Sequence, residues 1–437
     1  MVAMTIGKTV HPSDTPCRWP GVLYHNGVFS SITSRFDLPT NRLYRLRDEL
    51  RRKQIRITDL VSGNLNDQGI FFPMGLLQKA LAAGARASRS YRPDPLGQAP
   101  AREAVSRFYA GQGLKIPIDQ ILLTPGTSVS YWYAFKLLAD VGDEILAPVP
   151  SYPLFDSIAA LCGVKLTPYR LRERARWEID FDVLEAAITP RTKAIVLISP
   201  HNPTGAVATE DEIQRLEEIA VRRGLAIISD EVFSSFIFTS SPRRKSGPSR
   251  LGSGFRRNDV FRPAASLAPL VLTMNGLSKM LALPGMKIGW MAVTGDPALV
   301  KKALKTLEMI SDTFLPVHEP AQFSLPLLLK TGAAFQKSYV REVRKRLGVA
   351  VDILRQSGSL SFTEPEGGFF LTTRLVNNGT DEEEIACQLL QEHRILIHPG
   401  YFYDLEGGHL VLSFVSQPTV LRKALKHLQR DIIGRIR

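Results

Sequence analysis

The sequence predicts an α/β protein with two parts. The larger is a mostly parallel sheet flanked by helices, and the smaller is an α+β domain. Three observations carry this. From Asp59 onward, short apolar runs alternate with helical periodicity. Strand-like runs recur at residues 120–123, 144–149, 194–199, 225–229, 271–274 and 288–293. Around Asp296 the pattern changes to long helical stretches followed by short strands.

Taken in chain order, residues 1–38 are rich in Pro, Ser and Thr and read as a poorly ordered arm. Residues 42–56 carry Leu43, Leu46 and Leu50 at helical spacing, with a charged exposed face. A helical run at 129–139 follows the strand at 120–123. Thr209 and Glu212 form a capping box ahead of the apolar stripe Ile213, Leu216, Ile219 and Ala220, and Gly224 is the stop signal. Strand, helix and strand in that order imply a parallel pairing with a right-handed crossover. Residues 240–266 are dominated by Ser, Gly, Pro and Arg without apolar period, and read as a basic surface insertion. Helices are expected at 297–309 and 338–357, and strands at 368–373, 395–398 and 410–414.

Composition narrows the function classes. A chain of 437 residues with 44% hydrophobic content can bury a large core in two domains. No apolar run approaches the roughly 18 residues of a membrane span, and the Pro-broken N-terminus lacks a secretory apolar region. Cys17, Cys162 and Cys387 lie far apart without metal-ligand spacing, so reduced thiols in a cytoplasmic protein and no metal site are expected. The net charge of +13 invites a nucleic-acid reading. The charge is local, however. Seven Lys/Arg against one Asp give a net +6 in 241–262, and seven against two acids give +5 in 42–56. Neither stretch interleaves aromatics as a base-stacking surface does, so solvated surface is the better account.

The chemistry concentrates around Lys279, which sits in a Gly-Ser turn after an apolar strand, eight residues before Lys287. An amine in an apolar crevice near other cations has a depressed pKa and an available lone pair. Four further segments precede it: Tyr91-Arg-Pro-Asp-Pro-Leu-Gly97, Thr124-Pro-Gly-Thr-Ser128, His201-Asn-Pro-Thr-Gly205 and Asp230-Glu-Val-Phe233. The Thr124 segment leads from a strand into a helix, where free N–H groups suit a phosphate.

In this order the five segments resemble the class I/II aminotransferases, the aspartate-aminotransferase-like group of pyridoxal-phosphate enzymes of fold type I. The resemblance runs from about Asp59 to about Ser413. It implies a pyridoxal 5'-phosphate cofactor bound to Lys279 as a Schiff base, and Asp230 against the pyridine nitrogen. It implies Tyr152 on the ring face and Asn202 at the ring 3′-oxygen. Gly126, Thr127, Ser128, Ser278 and Lys287 would hold the phosphate. Tyr91 would reach the neighbouring subunit's cofactor in a homodimer with composite sites. Gly63 and Asn64 resemble the segment that closes over substrate. The substrates implied are a small-molecule amino donor and a 2-oxo acid acceptor. The N-terminal segment then joins the small domain: 1–38 an arm, 39–58 with 296–437 the small domain, 59–295 the large one.

Three positions depart from the family pattern. Phe233 stands where a tyrosine is often found, and Gly276 where some members use a phosphate-binding serine. Val411 occupies the position of the arginine that grips the substrate carboxylate; Arg374 is a candidate substitute. A lyase or decarboxylase on the same scaffold is the alternative, separated from a transaminase by its products. A non-catalytic regulatory protein is a third reading, opposed by Lys279, Asp230 and Asn202 together.

Overall fold

A computed structural model describes residues 32–33, 39–238, 268–376 and 381–436. The arm expected at 1–38 and the basic insertion at 240–266 therefore lie almost wholly outside the described residues, as does Cys17.

The chain enters through helix α1 (Arg42–Arg52) and the short strand β1 (Thr58–Asp59), then helices α2 (Met74–Ala87) and α3 (Ala99–Ala110). Strand β2 (Ile121–Thr124) leads into α4 (Thr127–Leu138), and β3 (Glu144–Val149) into α5 (Leu154–Cys162). Strands β4 (Lys165–Glu173) and β5 (Trp177–Ile179) precede α6 (Phe181–Ala186). Then come β6 (Thr192–Ile198), α7 (Glu210–Arg223), β7 (Ala226–Asp230) and β8 (Leu270–Gly276). A single turn, α8 (Leu277–Met280), carries the chain to β9 (Gly289–Gly295). Two long helices follow, α9 (Pro297–Phe314) and α10 (Glu319–Leu354). The remainder is β10 (Leu360–Ser361), β11 (Phe370–Leu375), α11 (Glu382–His393), β12 (Ile395–Leu396), β13 (His398–Pro399), β14 (His409–Ser413) and α12 (Pro418–Ile436).

The large sheet has the order β2-β9-β8-β7-β6-β3-β4-β5. Strands β4, β3, β6, β7 and β8 run parallel to one another, while β5 is antiparallel to β4 and β9 is antiparallel to both β8 and β2. Its central strands are buried on both faces, which explains why they read as continuous apolar runs. Alternate residues feed two cores. Val196, Ile228 and Leu272 pack with Tyr131, Phe155 and Leu307 on α4, α5 and α9. Leu197, Ile227 and Val271 pack with Leu184 and Leu216 on α6 and α7. The capping box at Thr209 and Glu212 is present in full, and Gly224 ends α7 in the left-handed region.

Sequence patterning passes over β4, because Pro168 sits in its middle. The structure accommodates it: β5 covers only Leu171–Glu173, so at Pro168 the strand is the sheet's edge.

The smaller antiparallel sheet, β10-β11-β14-β13, packs with α1, α11, α12 and the second half of α10. β1 pairs with β12, tying the start of the described chain to its end. Packing changes hands later than the pattern shift at Asp296. Val300, Ala303 and Leu307 of α9 still belong to the large-sheet core, and Leu325 and Leu328 of α10 pack with Leu123 and Trp290. From Tyr339 onward α10 serves the small domain. The helix also runs through Pro326 without ending.

Candidate active site

The register of the strands brings the sequence motifs together. Thr124 pairs with Gly289, and Gly289 with Gly276, so three strand ends lie in one row. A Cβ on Gly289 would meet the Gly126 Cα at 3.3 Å, and one on Gly276 would meet the Gly289 Cα at 2.9 Å. These backbones touch because none carries a side chain. Just beyond the row lie Gly126, Thr127 and Ser128 at the start of α4, Ser278 and Lys279 on α8, and Lys287 ahead of β9. Gly126 has φ 138°, with open space where its Cβ would stand. Space is thus open where the chain enters α4, whose first N–H groups suit a phosphate. Lys287 is exposed and sits in the left-handed region with φ 49°.

Lys279 Nζ donates to the Gly63 carbonyl at 3.0 Å. The Phe233 and Phe369 ring centroids are 5.9 and 5.8 Å away. Burial pulls the amine down to about 8 from its ordinary 10.5. Apolar surroundings are the cause of that shift, rather than the neighbouring cations the sequence offered as a second reason. Phe233 is buried against Phe369, so the departure at this position supplies apolar wall in place of a hydroxyl. A Cβ on Gly63 would stand 3.3 Å from Nζ and 3.2 Å from the Phe370 ring, so a side chain there would crowd the amine. Asn64 caps the same loop: its Oδ1 accepts from the Asn66 N–H at 3.3 Å.

Asp230 ends β7 and is nearly buried. Its Oδ1 accepts the Val232 N–H at 3.0 Å and its Oδ2 the Tyr131 hydroxyl at 2.9 Å. Burial raises the carboxyl above the ordinary value, and the two donors oppose that. Glu231 turns the other way, onto Ser229 Oγ at 3.1 Å, and burial raises it strongly. Tyr152 is half-buried beside Phe155, and both burial and the Asp230 charge raise its phenol. His201 is buried and bonded to Thr204 at 2.9 Å, with its pKa lowered to about 3 by burial. Next to it, Asn202 Oδ1 is buried without a partner. Because the two ends of an amide look alike, this marks an amide that can donate or accept at the site.

Other expected residues lie apart. Tyr91 is 77% exposed. Arg374 is exposed on β11, paired with Ser361 and His409 and four residues beyond Phe370, about 13 Å along the strand. Val411 is buried on β14 between Thr372 and His398. His398 bonds the Tyr44 and Tyr403 hydroxyls at 2.8 and 3.0 Å, and burial lowers its pKa to about 3, so this wall is neutral.

Sequence reasoning missed Tyr131. Its signal was faint: four residues after Thr127, one helical turn, it reads as a core aromatic. The residues present fit pyridoxal phosphate in charge and chemistry. A half-buried amine of lowered pKa, a buried carboxylate, an unpartnered amide and a helix N-terminus converge on the C-terminal ends of parallel strands.

A family model described as "Aminotransferase class I and II" matches residues 56–428. The chain belongs to the class I and II aminotransferases. Glutamate-pyruvate aminotransferase AlaA of Haemophilus influenzae is 28% identical over 346 residues, covering 77% of this chain and 81% of that protein. A probable aminotransferase of Arabidopsis thaliana, TAT3, is 30% identical over 365 residues, covering 80% of this chain and 78% of that one. Among solved structures, an alanine aminotransferase from Pyrococcus furiosus superposes with a TM-score of 0.78 at 25% identity, covering 90% of this chain and 96% of that one. This is a pyridoxal-phosphate aminotransferase on the fold type I scaffold. Among the described residues no helix is long and apolar enough to cross a membrane, and no acidic, His or Cys cluster has the arrangement of a metal site.

Proposed function

We propose that this aminotransferase moves an amino group between an amino acid, or a related amine, and a 2-oxo acid, with the cofactor carried on Lys279. The observation that carries this is the half-buried Lys279 amine, lowered to about 8 and held by the Gly63 carbonyl at 3.0 Å. Such an amine is both a nucleophile toward an aldehyde and, once displaced, a base of suitable strength. The cofactor, when bound, supplies the electron sink that makes a substrate Cα proton removable.

The protein's part is to bind, orient and move that proton. Asp230 holds positive charge on the ring nitrogen, Tyr152 lies against the ring and Asn202 addresses its 3′-oxygen. Gly126, Thr127, Ser128 and Ser278 receive the phosphate, joined by Lys287 as a flexible point charge in place of a bidentate arginine. Gly63 and Asn64 close over the substrate, and Arg374 stands in for the arginine absent at Val411 in holding the substrate carboxylate. The exposed Tyr91 reaches the cofactor of a second copy, which makes the active unit a homodimer in the cytoplasm. In sequence the small domain then comprises 39–58 with 296–437, of which α9 and the first half of α10 pack on the large sheet.

Incubating the loaded enzyme with a panel of amino acids tests the reading. Pyridoxamine phosphate and a 2-oxo acid should form in equal amounts. Ammonia or carbon dioxide without pyridoxamine phosphate would replace it with a lyase or decarboxylase.

A further inference from the structure

We propose that Tyr131 is a positioning residue that aims the Asp230 carboxylate and keeps the proton on the cofactor's ring nitrogen. This rests on the ring-nitrogen role proposed above for Asp230. The Tyr131 hydroxyl donates to Asp230 Oδ2 at 2.9 Å, and the Val232 N–H holds Oδ1 at 3.0 Å, so each carboxylate oxygen has one fixed donor. Both residues are nearly buried, at 2% and 8% exposure, where one hydrogen bond to a charge matters most.

The ring cannot easily swing away. It packs at 4.7 Å from Phe155 and 6.0 Å from Phe135, and a buried hydroxyl that left Asp230 would lose its partner. Tyr131 also lies one turn into α4, about 6 Å along the axis from Thr127. One helix therefore offers N–H groups to the phosphate at its start and grips the Asp230 carboxylate a turn later. That fixes the spacing between the two ends of the ring.

The donor is neutral and stays so. Burial, and after it the Asp230 charge, raise the Tyr131 phenol well above its ordinary value. The titratable groups around Asp230 are Tyr131 on α4, Tyr152 after β3 and Glu231 on the following residue, which faces Ser229. Tyr131 is thus the side chain that stabilises the carboxylate without adding charge. Removing its hydroxyl makes Asp230 the better base of the pair, and the shared proton moves from the ring nitrogen to the carboxyl.

The test is the 15N chemical shift of ring-labelled pyridoxal phosphate bound to the full chain, with the cofactor's dissociation constant measured alongside. Tyr131→Phe keeps the ring packing and should move the proton partition toward Asp230 by about 10- to 100-fold, the worth of one hydrogen bond to a charge. Replacing Tyr131 by 3,5-difluorotyrosine, a stronger donor of nearly the same shape, should move it the opposite way, and serves if the phenyl variant folds poorly. An unchanged ring-nitrogen signal in both variants overturns the proposal, even if cofactor affinity falls. Asp230→Asn separates the two layers of the argument. If it too leaves the ring nitrogen unchanged, the underlying role of Asp230 fails. If it alone changes the signal, only the Tyr131 proposal does.

Discussion

On the proposed reading Lys279 is where a single side chain decides the chemistry, and its environment sets a pH dependence. Its folded-state pKa is lowered from 10.5 to about 8, so the folded chain releases this proton earlier than the unfolded one. The rate at which the cofactor-free protein captures pyridoxal phosphate should rise with pH and level off above about 8. A stopped-flow pH series checks this; a rate still climbing toward pH 10.5 would mean a solvated lysine. The same linkage makes burial of the charged amine unfavourable below pH 8 and relieves it between about 8 and 10.5. Lys279, Asp230, Asn202 and the Thr127 helix start were legible because each stands in a local motif at a strand end. Tyr131 was not, because its partner is 99 residues away and nothing in the local spacing points to it.

At the scale of elements, close packing explains both a success and a miss. The central strands and α7 are readable from apolar runs and a capping box, which are local signals. Of α10 only the second half is readable, as the helix expected at 338–357, since Pro326 argues for a break and the helix persists through its tertiary contacts. Its first turns are pressed onto α2: a Cβ on Gly84 would fall 2.2 Å from the Pro320 carbonyl oxygen, and Ser324 Oγ donates to Ala80 O at 3.0 Å. Gly84→Ala should therefore destabilise the fold by roughly 1–3 kcal/mol, because the helices must part. A urea titration showing a midpoint at or above that of the parent would contradict this packing. At α7, Thr209→Ala removes the cap to the Glu212 N–H and should cost about 1 kcal/mol by the same measurement.

For the whole molecule, the sheet's parallel edge is pinned by a carboxylate shared among strands and loop. Glu144 on β3 accepts from Thr189 at 2.7 Å, Lys165 at 3.0 Å and Arg191 at 3.1 Å. Those bonds, Thr189's foremost, lower its pKa to about 2 from 4.5. A depressed carboxylate contributes stability above its unfolded value that disappears as pH falls through the folded one. The stability gap between the parent and Glu144→Gln should hold at neutral pH and close between about 4.5 and 2. A gap that persists at pH 2 would point to packing rather than charge. The two-domain organisation was legible only in outline, because the change of pattern at Asp296 precedes the change of packing partner within α10.

All of these scales meet in the claim that Lys279 carries the cofactor. The most direct measurement is to load the protein with pyridoxal phosphate, reduce with borohydride and map the modified peptide by mass spectrometry. The account predicts one stoichiometric adduct per chain, on Lys279, and none in Lys279→Ala. An adduct on Lys287 or another lysine, or no saturable labelling, would contradict it.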